Sequence, residues 1–155
     1  MESKPISLLL VEDDEADILD IQRSMQLLKV PNPLYIARDG IEALAMLQGT
    51  GEDGGTVVPY PYLILLDLNL PRMDGLEFLK AVRNDPKLRS TMIIIITSSD
   101  DEQTRAAAFD LNVPNYLSKP VNFDHLIAMI ATLERSWNPH AQDEMPPSEL
   151  IGRLA

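Results

Sequence analysis

The stretch Leu63-Ile64-Leu65-Leu66-Asp67-Leu68-Asn69-Leu70-Pro71 (residues 63–71) decides how the rest of the chain is read. Four large apolar residues follow one another without alternation, then a carboxylate, then a proline that cannot continue a ladder. A strand with one wet face alternates apolar and polar residues; a strand covered on both faces does not. The run therefore predicts a doubly buried parallel strand that delivers Asp67 to its carboxyl end.

Working outward, four more runs share the pattern: Ile6 to Val11, Leu34 to Ala37, Met92 to Ile96, and Tyr116 to Leu117. Between them lie stretches with helical spacing. Ile18, Ile21, Met25 and Leu28 mark one helix face, Leu76, Leu79 and Val82 a second, and Leu126, Ile130, Leu133 and Trp137 a third. The order is (βα)5, which predicts an α/β doubly wound fold around a parallel sheet. Helix punctuation agrees. Ser99-Asp100-Asp101-Glu102 reads as a capping box for the fourth helix, Asn122 as a cap for the fifth, Asp74-Gly75 as the break before the third, and Pro31 and Pro33 as the stop after the first. Gly49 to Pro61, with four glycines and two prolines, reads as an exposed insertion before the third strand. Residues 1–137 are expected to form one domain, and 138–155 a polar, flexible tail.

Composition narrows the function. The 155 residues include no cysteine, which excludes disulfides, thiolate metal sites and a cysteine nucleophile. With 13 basic against 24 acidic residues, the formal net charge is −11. Such a surface repels nucleic-acid backbones and anionic lipids, so neither is an expected partner; a cation or a protein with a basic face is. The first apolar run is too short to span a bilayer and lacks the flanks of a signal peptide, so a cytoplasmic location is expected.

Ligands of an open parallel sheet sit beyond the carboxyl ends of its strands. There the sequence places Glu12-Asp13-Asp14 after strand one, Asp67 after strand three, Thr97-Ser98 after strand four and Ser118-Lys119-Pro120 after strand five. Each fragment alone is an ordinary turn, cap or loop. Together they set carboxylates, a hydroxyl and an amine on one edge. Crowded carboxylates repel one another unless a cation sits among them. Oxygen-only ligands favour Mg²⁺, which uses one or two carboxylates plus phosphate oxygens. A cation, an amine and a hydroxyl suit a phosphoryl group, whose charge spreads over equatorial oxygens. Asp67 at the centre is the expected nucleophile.

At these residues the chain resembles the response-regulator receiver family from about Ile6 to Leu133. The matching segments are LLLVEDD (8–14), LILLDLNLPRMDG (63–75), IIIITSS (93–99) and YLSKP (116–120). The resemblance implies a flavodoxin-like five-stranded sheet in the order 2-1-3-4-5 and a set of roles. Asp67 is the phosphoacceptor. Asp13 is a direct Mg²⁺ ligand, Glu12 acts through water, and Asn69 lends its backbone carbonyl. Thr97 bonds a phosphoryl oxygen, and Ser98 is small enough to admit it. Lys119 pairs with Asp67 and then with the phosphoryl group, and Pro120 follows a cis peptide. Tyr116 occupies the aromatic switch position and, with Thr97, would link the site to the surface of helix four, strand five and helix five. Glu12 stands where many receivers have Asp. Asp14 and Asp17 read as a charged first helical turn that adds negative potential near the metal. The inserted loop, the DLNLPRMDG segment and the end SKPVNFDHLIAMIATLERSW are similar to the small stand-alone receivers that pair with cyanobacterial phytochromes and tend to form homodimers.

The resemblance thus implies a histidine kinase of phytochrome type as partner, with a phosphotransfer protein as a further candidate. It implies no enzyme beyond Mg-dependent self-phosphorylation and slow dephosphorylation. Two other readings compete. An aspartyl-phosphate phosphatase needs an acid two residues after its nucleophile, and Asn69 cannot donate that proton. A degenerate receiver, serving as a phosphorylation-independent binding or dimerisation module, would have lost Asp67, Asp13 or Lys119; all three are present. No glycine-rich phosphate cradle follows the first strand, which disfavours a nucleotide-binding fold. His125 and His140 read as solvated surface. Trp137, with Phe123 and Ile127, reads equally as core or as contact surface.

Overall fold

A computed structural model describes residues 6–49, 57–59, 62–98, 102–113 and 115–136. The runs without alternation become β1 (Ser7–Val11), β2 (Leu34–Ala37), β3 (Tyr62–Leu66), β4 (Met92–Thr97) and β5 (Tyr116–Ser118). They are joined by α1 (Glu15–Leu27), α2 (Gly40–Gln48), α3 (Gly75–Asn84) and α4 (Glu102–Asp110), and α5 (Phe123–Ser136) follows β5. All pairings are parallel, and the strands lie in the order β2-β1-β3-β4-β5.

Every residue of β1, β3 and β4 is buried, as continuous apolar runs require. The sheet's two faces carry separate cores. On one side Leu9, Val11, Ile64, Leu66, Ile93 and Ile95 pack against Ala43 and Met46 of α2, Phe78, Leu79 and Val82 of α3, and Ala108 of α4. On the other, Leu8, Leu10, Leu63, Leu65, Ile94 and Ile96 pack against Ile18 and Ile21 of α1 and Leu126, Ile130 and Leu133 of α5. Truncating any of these leucines to alanine leaves a cavity that costs about 2–5 kcal/mol.

Side chains start the helices. Asp14 accepts from the Ala16 and Asp17 amides, Asp39 from Glu42, Asp74 from Glu77 and Asn122 from His125. Each such cap contributes about 1 kcal/mol. Of the expected capping box of α4, Ser99, Asp100 and Asp101 lie outside the described residues, as do most of the 49–61 insertion, Trp137, His140 and the tail. Two helix faces differ from the sequence reading. α1 stops at Leu27, so Leu28 is its C-cap and 45% exposed rather than core. On α3 Leu79 and Val82 are fully buried as read, but Phe78 joins them and Leu76 is only partly covered.

The joint between β3 and α3 is tight. A Cβ on Gly75 would lie 2.4 Å from the Leu68 Cα and 2.6 Å from the Asp67 carbonyl oxygen. Only glycine lets α3 begin this close to the end of β3.

Candidate functional site

β1 is flanked by β2 and β3, so the chain leaves β1 and β3 in opposite directions and opens a crevice at their carboxyl ends. Backbone bonds fix what stands there. The Glu12 amide donates to the Ala37 carbonyl at 2.9 Å, the Asp67 amide to the Val11 carbonyl at 3.0 Å, and the Lys119 amide to the Thr97 carbonyl at 2.9 Å. Glu12, Asp13 and Asp67 each offer a carboxylate oxygen within 4.8 Å of the others. Glu12 and Asp67 are buried and Asp13 is exposed.

One amine faces this negative charge. Lys119 Nζ donates to Glu12 Oε2 at 2.6 Å, Asp17 Oδ2 at 2.7 Å and Asp67 Oδ2 at 2.9 Å. Burial alone would lower the lysine's pKa. Its bonds to Asp17, Glu12 and Asp67 outweigh that and hold it above the ordinary lysine range. Glu12 responds in the opposite sense to its own charge. Burial, with the Asp67 charge adding to it, lifts its carboxyl from 4.5 to about 7 against the pull of Lys119 and the Asp14 amide. A single ammonium cannot neutralise so many carboxylates, and the residual negative charge is what a hard divalent cation would relieve. The donor set of oxygens alone fits such an ion.

The other expected residues stand around this cluster. The Asn69 amide N–H donates to Asp67 Oδ1 at 3.0 Å, and its side-chain Nδ2 donates to the buried Thr97 Oγ1 at 3.4 Å. Ser98 follows β4 and is exposed. The Lys119–Pro120 peptide is cis. Tyr116 is half-buried at the margin of the core on the α2–α3–α4 side, with the Arg105 guanidinium 4.6 Å over its ring. His125 is exposed, as expected.

A family model for the response regulator receiver domain matches residues 8–131. The chain belongs to that family. Among the relatives of this receiver is the response regulator Rcp1 of Synechocystis sp., 38% identical over 86% of this chain and 89% of the relative. The Mn²⁺-bound Rcp1 structure has a TM-score of 0.69 over 84% of this chain and 92% of that one. The phosphorylated cyanobacterial phytochrome response regulator RcpA is 36% identical, with a TM-score of 0.70 over 86% and 94% of the two chains. The bacteriophytochrome response regulator RtBRR is 33% identical, with a TM-score of 0.74 over 97% and 96%.

Sequence reasoning missed two features of the receiver's site. Asp17 is more than a charge in the first turn of α1, because it bonds Lys119 directly. Asp39 caps α2 and also binds Arg72, whose Nε donates at 2.9 Å, tying the loop after Asp67 to the start of α2. Burial opposes ionisation of Asp39, but the Glu42 amide and Arg72 hold its pKa below the ordinary value. The spacing of Asp39 before an apolar helix could have suggested the cap; nothing local signals Arg72.

Proposed function

We propose that this receiver takes a phosphoryl group onto Asp67 from a histidine kinase, and that its kinase is a phytochrome-type photoreceptor. One observation carries the reading: Lys119 Nζ lies 2.9 Å from Asp67 Oδ2, beside a group of three carboxylates with an excess of negative charge. In the transfer, an Asp67 carboxylate oxygen attacks phosphorus. The P–N bond of the donor phosphohistidine breaks, and the imidazole leaves with the electron pair and is protonated. Lys119 keeps an N–H beside Asp67 for the incoming phosphoryl oxygens, Thr97 supplies a hydroxyl, and Ser98 leaves the approach open. Mg²⁺, held by Asp13, Asp67 and the Asn69 carbonyl directly and by Glu12 through water, would supply positive charge to the transferred group. Asn69 offers no acid or base to speed hydrolysis, so the phosphoryl group would be lost slowly.

Tyr116 and Thr97 would couple the site to the surface of α4, β5 and α5, where a homodimer or a phosphotransfer protein would read the change. The likeness to RcpA and RtBRR, a cyanobacterial phytochrome and a bacteriophytochrome response regulator, supports the kinase assignment. We take residues 1–137 as the receiver, 138–155 as an appended tail, and the cytoplasm as its compartment. No helix among the described residues is long and apolar enough to cross a membrane. Incubation with acetyl phosphate and Mg²⁺ tests the core of the proposal. Acid-labile, hydroxylamine-sensitive incorporation is expected, and Asp67→Asn should abolish it. Undiminished incorporation in that variant would place the acceptor elsewhere.

A further inference from the structure

An ammonium has three N–H donors, and those of Lys119 are shared among three carboxylates. The acceptors are not equivalent. Glu12 and Asp67 also belong, with Asp13, to the group whose oxygens lie within 4.8 Å of one another; Asp17 does not. Asp17 is anchored differently as well. It stands in the first turn of α1, where the cap residue Asp14 accepts its amide N–H at 3.1 Å. Its side chain is 36% exposed, against 2% for Glu12 and 6% for Asp67.

This division matters as soon as a divalent cation enters. The cation would compete with the ammonium for the oxygens of Glu12 and Asp67, and the two positive charges would repel each other. Two of the three holds on Lys119 then weaken together. The third, Asp17, stays outside the competition and sits on a helix whose backbone does not depend on the cation.

We propose that Asp17 is a positioning residue for Lys119: it tethers the amine at the edge of the site while a cation occupies the neighbouring carboxylates, so that the amine stays beside Asp67. Its use in phosphoryl transfer rests on the reading of Asp67 given above; the tether itself does not. The contact ties the start of α1 to the loop after β5 across the carboxyl edge of the sheet. It turns two demands that oppose each other, loading a cation and retaining a lysine, into compatible ones.

The test follows the Lys119 ammonium by ¹H–¹⁵N NMR, its signal assigned as the one missing from Lys119→Arg. Mg²⁺ is titrated into the full chain without any phosphodonor. In the wild type the signal is expected to persist to saturating Mg²⁺. In Asp17→Asn, which keeps the side-chain volume in an unchanged helical turn, it should be present without Mg²⁺ and disappear as Mg²⁺ is added. Circular dichroism of the variant should superimpose on the wild type. With acetyl phosphate at saturating Mg²⁺, Asp17→Asn should incorporate phosphate about tenfold more slowly, the loss of one charge-assisted bond. A Lys119 signal that survives Mg²⁺ equally in Asp17→Asn would overturn the tether, as would a wild-type signal lost on adding Mg²⁺. If the NMR behaves as expected while the wild type takes up no phosphate, the tether stands and the phosphoacceptor reading falls.

Discussion

At the amino edge of the sheet Arg83 donates to the carbonyls of Leu111, Arg89, Thr91 and Asn112, whereas at the carboxyl edge Lys119 donates to three carboxylates. Glu134 repeats the amino-edge pattern: its Oε2 accepts the Ile6 amide at 2.9 Å and Asn32 Nδ2 at 2.8 Å, and Asn32 also donates to the Ile6 carbonyl. The two edges thus spend charge differently. On one, Arg83 binds carbonyls and Glu134 a backbone amide and the neutral Asn32 side chain, and each contact staples the ends of elements together. On the other, Glu12 and Asp67 also accept backbone amides, but the cation Lys119 binds their remaining oxygens and that of Asp17, and negative charge is left over. A backbone partner cannot be exchanged without unfolding something, while a side-chain partner can be replaced by an arriving ligand. A structural edge and a responsive edge are therefore distinguishable by what their cations bind, carbonyls at Arg83 and carboxylates at Lys119.

Breaking the amino edge should produce the largest effects, and they should fall on stability. Arg83→Ala removes bonds from α3 to the loops before β4 and after α4. Burial lowers the Arg83 pKa to about 10, which still leaves it cationic at neutral pH, so charge-assisted bonds are lost. The expected cost is about 2–4 kcal/mol, or a fall of roughly 5–15 °C in melting temperature for a chain of this size, measured by thermal unfolding. Phosphate uptake by the folded variant should be unchanged. Glu134→Ala should cost less, about 1–2 kcal/mol, because two donors lose one shared acceptor. Denaturant titration measures it, and Glu134→Gln, whose amide oxygen still accepts, should recover most of the loss.

The responsive edge should show its effect through pH, and over any single pH unit that effect should be the smallest. The folded chain holds a proton on Glu12 up to about 7, where an unperturbed glutamate would release it near 4.5. The stability linked to that proton is complete below about 4.5 and is lost as pH rises to about 7. The cation-free protein should therefore lose up to about 1 kcal/mol per pH unit across that window. Urea unfolding at pH 5, 6 and 7 checks the slope, and Glu12→Gln should flatten it. A slope unchanged in Glu12→Gln would mean that the carboxyl edge holds its charge as passively as the amino edge does.

The contrast also explains what could be read in advance. Strands β1, β3 and β4 were legible because burial on both faces leaves an unbroken apolar run, and the strand order followed from the family resemblance. The residues that end those strands were legible because the topology sends them to one edge. Contacts between distant segments were not. Nothing near Asp17 announces Lys119, and nothing near Glu134 announces Asn32 or Ile6. Leu28 fitted a helical spacing that the helix itself stops short of using. Phe78 lay one position from the stripe of Leu76, Leu79 and Val82, and only packing shows that the buried face is centred nearer the aromatic ring.

The contact at Gly75 has a mechanical consequence. With Leu68 and the Asp67 carbonyl pressed against the first residue of α3, that junction has no slack to absorb a displacement. It would act as an abutment: a load applied at Asp67 would find little give there, while the Asn69 side chain, which donates to Thr97 Oγ1, offers a path sideways to β4. A methyl group at position 75 would act as a wedge, driving the start of α3 away from the residue that ends β3.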